Sequence, residues 1–222
     1  MDIKDQINDV LKNYHGLKYD PDSNSFSGKI CITSNDCYEV VVDLSKYPTL
    51  FPIVYEVGER IPQKMDRHKY SNSDACCFTT FAKAQILLKT KISTLLTFIK
   101  EIVIPYFKSN SFFELNGYYT NSTYSHGLNG VIEGYKDILH LPVNANEFLI
   151  SNIIQDRLKG KVLSIKDKCF CGSGLSLKRC CNGHHDTAYR NFKKIDKVLL
   201  HADFDQIMKR IEAIKKLSEI SE

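Results

Sequence analysis

Between Phe26 and Leu44 the apolar residues leave a helical period for a period of two, and that switch limits the folds open to this chain more than any other feature. Phe26, Ile30 and Ile32 alternate with polar or small neighbours, and Tyr38, Val40, Val42 and Leu44 do the same beyond a turn at residues 33–36. Successive side chains of a strand point to opposite faces, so each run can bury one face and leave the other wet. A third short run, Ile53 to Val57, follows the segment YPTLFP. Three sequential strands with short links predict an antiparallel meander. Ahead of them Ile3, Ile7, Val10, Leu11 and Tyr14 have the spacing of one helix face.

Behind the meander the sequence is helical with interruptions. Gly58 to Ala75 is polar and aperiodic, long enough to suggest function rather than connection. Ile92, Leu95, Leu96, Ile99, Ile102 and Val103 predict a helix that Pro105 should end or kink. A Tyr, Asn and Ser-rich stretch, Ser109 to Ser125, leads to HGLNGVIEGYKDIL, where Val131, Ile132, Tyr135, Ile138 and Leu139 make another helical face. A further helix is expected over Asn146 to Leu158, with Gly160 as its stop signal. Two more helices, joined around Ala202, are expected to fill the C-terminal part. The fold class that follows is α+β, a meander flanked by helices. The expected division is a first domain over 1–145, a helical linker over 146–165 and a small cysteine-bearing domain with C-terminal helices over 166–222.

The chain has 222 residues, 43% hydrophobic and 25% charged, the balance of a globular protein with room for one ordinary domain and a small appendage. Its start, MDIKDQIN, is polar and acidic, unlike a secretory signal, and Lys100 and Glu101 interrupt the most apolar run. A cytoplasmic protein without a membrane span is the expectation. The net charge of +4 is mild, but from Arg157 to His184 there are seven Lys or Arg residues against one acid, Asp167. In a reducing compartment the eight cysteines are better read as metal ligands, reactive thiols or core residues than as a disulfide framework.

Four of them lie in CFCGSGLSLKRCC, which places Cys169, Cys171, Cys180 and Cys181 in a C-x-C-x8-C-C spacing. Gly172 and Gly174 let the backbone fold back so that both pairs of sulfurs converge on one tetrahedral ion. Zinc suits thiolates, and a closed four-ligand site leaves no place for substrate, so its role would be structural. The alternative is a set of free thiols in a loop. The stretch resembles the SEC-C motif, a small zinc knuckle found on many bacterial proteins, through Cys169, Cys171, Gly172, Ser173, Gly174, Cys180 and Cys181. Cys181 stands where His is the commoner variant, and His184 or His185 could take its place as the fourth ligand. Such knuckles imply partner contact rather than catalysis, and the basic residues around this one would offset the negative charge of four thiolates on the ion.

Of the remaining cysteines, Cys31 and Cys37 fall within the predicted hairpin and read as packing. Cys76 and Cys77 end the polar segment, in RHKYSNSDACCF. On an extended segment one of two neighbours faces inward, and if Phe78 packs inward Cys76 shares its face and Cys77 points to solvent. The order helix, meander, YPTLFPIVYEVGERIP, histidine loop and cysteine resembles the ubiquitin-conjugating (UBC) fold over roughly residues 1–145. Tyr47, Pro48 and Pro52 supply its Tyr-Pro segment, His68 opens its active-site loop, and Cys77 followed by Phe78 supplies its catalytic cysteine. The likeness is greatest to bacterial members encoded in antiphage cyclic-oligonucleotide signalling (CBASS) operons, with their SEC-C tails.

What the resemblance implies is acyl transfer. Cys77 would take the C-terminal glycyl group of a partner protein as a thioester and yield it to a lysine amine or to water, conjugating or deconjugating it. The implied partner is a cGAS-like nucleotidyltransferase or another protein with a C-terminal glycine tail. Eukaryotic members carry His-Pro-Asn where this chain reads His68-Lys69-Tyr70, which leaves the task of the Asn to Asn72 or another group. His126, at the expected start of a helix, is a candidate for proton transfer or, equally, a cap or core residue. Two rival readings stand beside this one: an adaptor whose cysteine is idle, and a nucleic-acid-binding module resting on the basic excess. Sparse aromatics near that excess, with only Phe170 in the knuckle, argue against nucleic acid.

Overall fold

The computed structural model describes residues 2–70, 72–119 and 124–220 of the chain. The fold is α+β, with a four-stranded antiparallel sheet in the order β1-β2-β3-β4. Packing divides the residues into two units, Met1–Thr79 with Leu87–Thr123, and Thr80–Ile86 with Tyr124–Glu222. This division differs from the boundaries expected at 145 and 165, because the apolar faces at 132–139 and 150–154 pack into one cluster with residues near the C-terminus.

The first unit opens with α1 (Ile3–Asn13), where the Asp2 carboxylate accepts the Ile3 N–H at 2.6 Å. Ile7 and Val10 bury its apolar face in the first core. The sheet follows as β1 (Leu17–Asp20), β2 (Ser25–Thr33), β3 (Asp36–Asp43) and β4 (Ile53–Glu56). Phe26 pairs with Val42 and Ile30 with Tyr38, so the alternation read from the sequence lines one buried face. β1 lies outside the three predicted strands: its four residues are too few to show a period. Gly28 has φ +133° and a Cβ there would stand 2.1 Å from the Gly16 carbonyl oxygen. A side chain would block the approach that lets Lys29 N–H reach that oxygen at 2.9 Å.

Cys31 and Cys37 do not pack in the core. They face each other across β2 and β3, Cys31 exposed and Cys37 half-buried, and are joined as a disulfide with S–S 2.01 Å. Residues paired across two strands of one hairpin share a face, and this one points away from Ile30 and Tyr38.

α2 (Phe81–Leu88) follows the cysteines, and α3 (Leu95–Phe98) runs through a π-helical turn at Ile99–Val103 into α4 (Ile104–Asn116). Pro105 therefore does not stop the helix. It falls in the first turn of α4, and the wide turn just before it accommodates a residue with no N–H to donate. Gln6 accepts from Leu95 N–H at 3.0 Å and from the Tyr47 hydroxyl at 2.7 Å, tying α1 to the helices and to the Tyr-Pro segment. Of the Tyr, Asn and Ser-rich stretch, residues 109–116 belong to α4, and residues 120–123 lie outside the described residues.

The second unit is helical: residues 81–86 of α2, with α5 (Gly127–Ile138), α6 (Glu147–Leu158), α7 (His184–Phe192) and α8 (Lys197–Ile220). Asn146 caps α6 by accepting the Leu149 N–H at 2.9 Å. The break expected at Ala202 falls at residues 193–196, and Ala202 lies inside α8. Ile132, Tyr135, Ile150, Ile154, Phe192, Leu200 and Ile207 form the core, where the Tyr135 hydroxyl donates to the buried Asp203 at 2.7 Å. Among the described residues no helix is long and apolar enough to cross a membrane.

Candidate functional site

Two constellations carry chemistry, one in each unit. In the first, the polar segment after β4 is ordered by a buried carboxylate. Glu56 accepts from the backbone N–H of Gly58 (3.0 Å), Arg60 (3.3 Å) and Ile61 (3.0 Å). Arg67, also buried, donates through two nitrogens to the Asn110 side-chain oxygen at 3.2 and 3.0 Å and lies over the Phe113 ring. Lys69 reaches inward, donating to the Ile61 carbonyl at 3.1 Å and pairing with Asp74 at 2.9 Å and with Glu56 at 4.0 Å. A buried ammonium needs such partners to stay charged, and each of them fixes the segment that bears it.

Beyond Lys69 the chain folds back on itself as a tight hairpin. Tyr70 N–H donates to Ala75 O at 2.9 Å, Lys69 bridges Cys76, and Cys77 N–H donates to His68 O at 2.7 Å. Cys76 N–H donates in turn to Val54 O of β4 at 2.8 Å, which docks the hairpin on the sheet. His68 thus stands opposite Cys77, with its backbone in the left-handed region, and its ring packs edge-on to Tyr119. The His68 carbonyl also accepts the Tyr106 hydroxyl at 3.0 Å. Asn72 is exposed at the hairpin tip.

The two adjacent cysteines differ in burial in the sense that alternation along an extended segment gives. Cys76 is 4% exposed and belongs to the first core, whereas Cys77 is half-buried. Burial pushes the Cys76 thiol up to about 12, against a hydrogen bond from Tyr106 and the nearby charge of Lys69. Burial also raises the Cys77 thiol, opposed by a hydrogen bond from the Tyr70 hydroxyl. Cys77 is therefore not the freely ionising thiol that a polar, accessible loop suggests. Lys69 and Tyr70, on the facing arm of the hairpin, are buried and half-buried.

His126 is the N-cap residue of α5, at the helix start where the sequence places it, and its side chain makes no capping bond. The residues expected in catalysis thus fall in two units, His68 and Cys77 in the first and His126 in the second.

In the second unit the cysteine-bearing loop closes by backbone bonds, Cys169 N–H to Leu175 O and Leu177 N–H to Asp167 O, each at 2.8 Å. Gly172 and Gly174 take φ of 80° and 77° to make the turn. Cys180, Cys181 and Asn182 then enter a 3₁₀ turn in which Cys181 and Asn182 are left-handed, at φ 48° and 53°. That reversal leaves Cys181 exposed and brings His185, in the first turn of α7, onto the sulfurs. His185 Nδ1 lies 3.2 Å from Cys169 Sγ and 3.2 Å from Cys180 Sγ, and Cys171 Sγ lies 3.4 Å from Cys180 Sγ.

The cluster is therefore Cys169, Cys171, Cys180 and His185, with ligand atoms all within 4.8 Å of one another, close enough to hold a metal ion. Of the candidates for the fourth place, His185 occupies it; Cys181, the first expectation, is not part of the cluster. The donor set fits zinc, whose ligands stand about 2.0–2.3 Å from the ion in a tetrahedron. Burial raises these thiols, Cys169 to about 12, while hydrogen bonds from Ser173 bring Cys171 down to about 6, so the sulfurs do not ionise alike before a metal displaces their protons.

Glu56, Lys69, Tyr70 and Tyr106 escaped the sequence reading. Pairing His68 with Cys77 would have put Lys69 on the buried face and Tyr70 beside the sulfur, but nothing in the local pattern sets that register. No family model matches this chain, and no curated protein or solved structure matches it.

Proposed function

We propose that the chain transfers an acyl group through Cys77, in the manner of a ubiquitin-conjugating-like enzyme. The observation that carries this reading is the hairpin itself: a half-buried thiol docked on an antiparallel meander, opposite His68, with a second cysteine turned into the core. The order of α1, meander, cysteine hairpin and helices is the one the resemblance to the UBC fold calls for.

The Cys77 sulfur attacks the C-terminal glycyl carbonyl of a partner protein, already activated as a thioester or acyl adenylate, and expels that activating group. The resulting thioester passes its acyl group to a lysine amine or to water. Aminolysis of a thioester is favourable enough that positioning counts for more than a strong base. The partner we favour is a cGAS-like nucleotidyltransferase of an antiphage operon, in the cytoplasm. The Cys/His cluster holds zinc as a structural cross-link of the second unit, since its four donors leave no position for a substrate.

The raised Cys77 thiol favours a second reading, an adaptor whose cysteine is idle and whose second unit binds the partner. One experiment separates the two. With the activated partner, wild type should form a covalent species cleaved by hydroxylamine, Cys77→Ala should form none, and Cys77→Lys should trap a hydroxylamine-resistant amide. No adduct in wild type would leave the adaptor; unchanged adduct in Cys77→Ala would move the reaction to another residue.

A further inference from the structure

The register of the hairpin brings a second side chain to the reactive sulfur. With Lys69 bridging Cys76 and Tyr70 N–H on Ala75 O, Tyr70 is the diagonal cross-strand neighbour of Cys77, a separation that an aromatic side chain spans. Its hydroxyl lies close enough to the Cys77 thiol to hold that thiol down against the burial that raises it. Tyr70 is itself half-buried. Burial first, and then the neighbouring sulfur, raises its pKa, so the phenol keeps its proton through the neutral range and meets an anionic sulfur only as a donor.

The other tyrosine of the site is placed differently. The Tyr106 hydroxyl is directed to the carbonyls of Arg67 (3.2 Å) and His68 (3.0 Å) and to Cys76, which the core encloses. Among the described residues, Tyr70, Tyr106 and the His68 backbone face Cys77, and Tyr106, Lys69 and Glu56 face Cys76.

We propose that Tyr70 is a catalytic residue, its hydroxyl donating to the Cys77 sulfur as that sulfur attacks the acyl carbon and again as it departs. In the first step the S–C bond forms, the bond to the activating group breaks, and the thiol proton passes to solvent. In the second the amine nitrogen bonds to the same carbon and gives up a proton to solvent, the S–C bond breaks, and the sulfur leaves as a thiolate that accepts a hydrogen bond from the Tyr70 hydroxyl. A hydrogen bond to a charged partner is stronger than one to a neutral partner, so the contact favours both steps in which sulfur carries charge. The role of Tyr70 rests on the acyl-transfer reading; the contact itself does not.

The test uses the full chain and two readouts. Iodoacetamide labelling of Cys77, resolved from Cys76 by fragmentation of the tryptic peptide that starts at residue 70, gives a pH midpoint without any partner. Tyr70→Phe is expected to raise that midpoint by about one pH unit and to slow both adduct formation and discharge about tenfold, with labelling of Cys76 and thermal melting unchanged. A 3-fluorotyrosine at position 70, a stronger donor of nearly the same shape, is expected to lower the midpoint and covers the case in which Tyr70→Phe does not fold. Unmoved midpoints in both proteins overturn the contact. A moved midpoint with unaltered adduct kinetics overturns the catalytic role alone. Absence of adduct in wild type overturns the acyl-transfer reading and the role with it, and is told apart because the midpoint still shifts.

Discussion

The Nε2–H of His185 donates to the backbone carbonyl of His140 at 3.1 Å, which leaves Nδ1 of the same ring bare toward the sulfurs of Cys169 and Cys180. A ligating imidazole is commonly held in this way, its second nitrogen tied down so that one tautomer and one ring orientation persist. Phe170 packs against the ring with centroids 4.9 Å apart and supports the same orientation.

Metal content should follow that geometry. Wild type is expected to carry one zinc per chain, Cys181→Ser to keep it, and His185→Ala to lose most of it. Elemental analysis after gel filtration decides this, and the reverse pattern would return the fourth place to Cys181. Because Cys169 and Cys180 also belong to the second core, loss of the ion in Cys169→Ser should lower the protease resistance of residues beyond Gly160 while residues 1–79 stay protected.

Lys69 anchors the hairpin from below. Lys69→Ala leaves buried Glu56 without its cation and Asp74 without a partner, and we expect a loss of about 3 kcal/mol in urea unfolding. Cys76 should then become alkylatable in the native state. A stability unchanged within about 0.5 kcal/mol would show that the hairpin does not depend on this ion pair.

Alkaline pH should expose the buried thiol. In the unfolded chain Cys76 ionises near the ordinary value of 9, and in the folded chain only near about 12. A raised folded-state value contributes stability below the unfolded value, and that contribution is lost as pH rises from about 9 toward about 12. Wild type should therefore lose stability more steeply over that window than Cys76→Ala. Parallel curves from chemical denaturation would contradict the assignment.

His126 is tested through rates. If it serves proton transfer to or from the amine, His126→Ala slows discharge of the Cys77 adduct about 10²-fold or more and leaves its formation within about twofold. Equal effects on both steps, or none, confine His126 to its place at the start of α5.

What the sequence determined by itself is whatever short-range pattern encodes. The alternation through β2 and β3, the helix faces at Ile3–Tyr14 and Val131–Leu139, and the cap at Asn146 all depend on neighbours a few residues apart. Three of the four members of the Cys/His cluster were legible for the same reason, since Cys169, Cys171 and Cys180 lie close along the chain with glycines at its bends.

Tertiary structure alone decided the rest. The disulfide of Cys31 with Cys37 depends on cross-strand register, which period two does not specify until the hairpin is paired. His185 displaced Cys181 because two left-handed residues turn the chain between them, a choice fixed by the seat of α7 against the core rather than by local propensity. The burial of Lys69 and the place of Tyr70 diagonally across from Cys77 arise from an aperiodic segment, ordered only when it folds onto β4. Aperiodic polar chain has no preferred face of its own, so the surface it folds against chooses one.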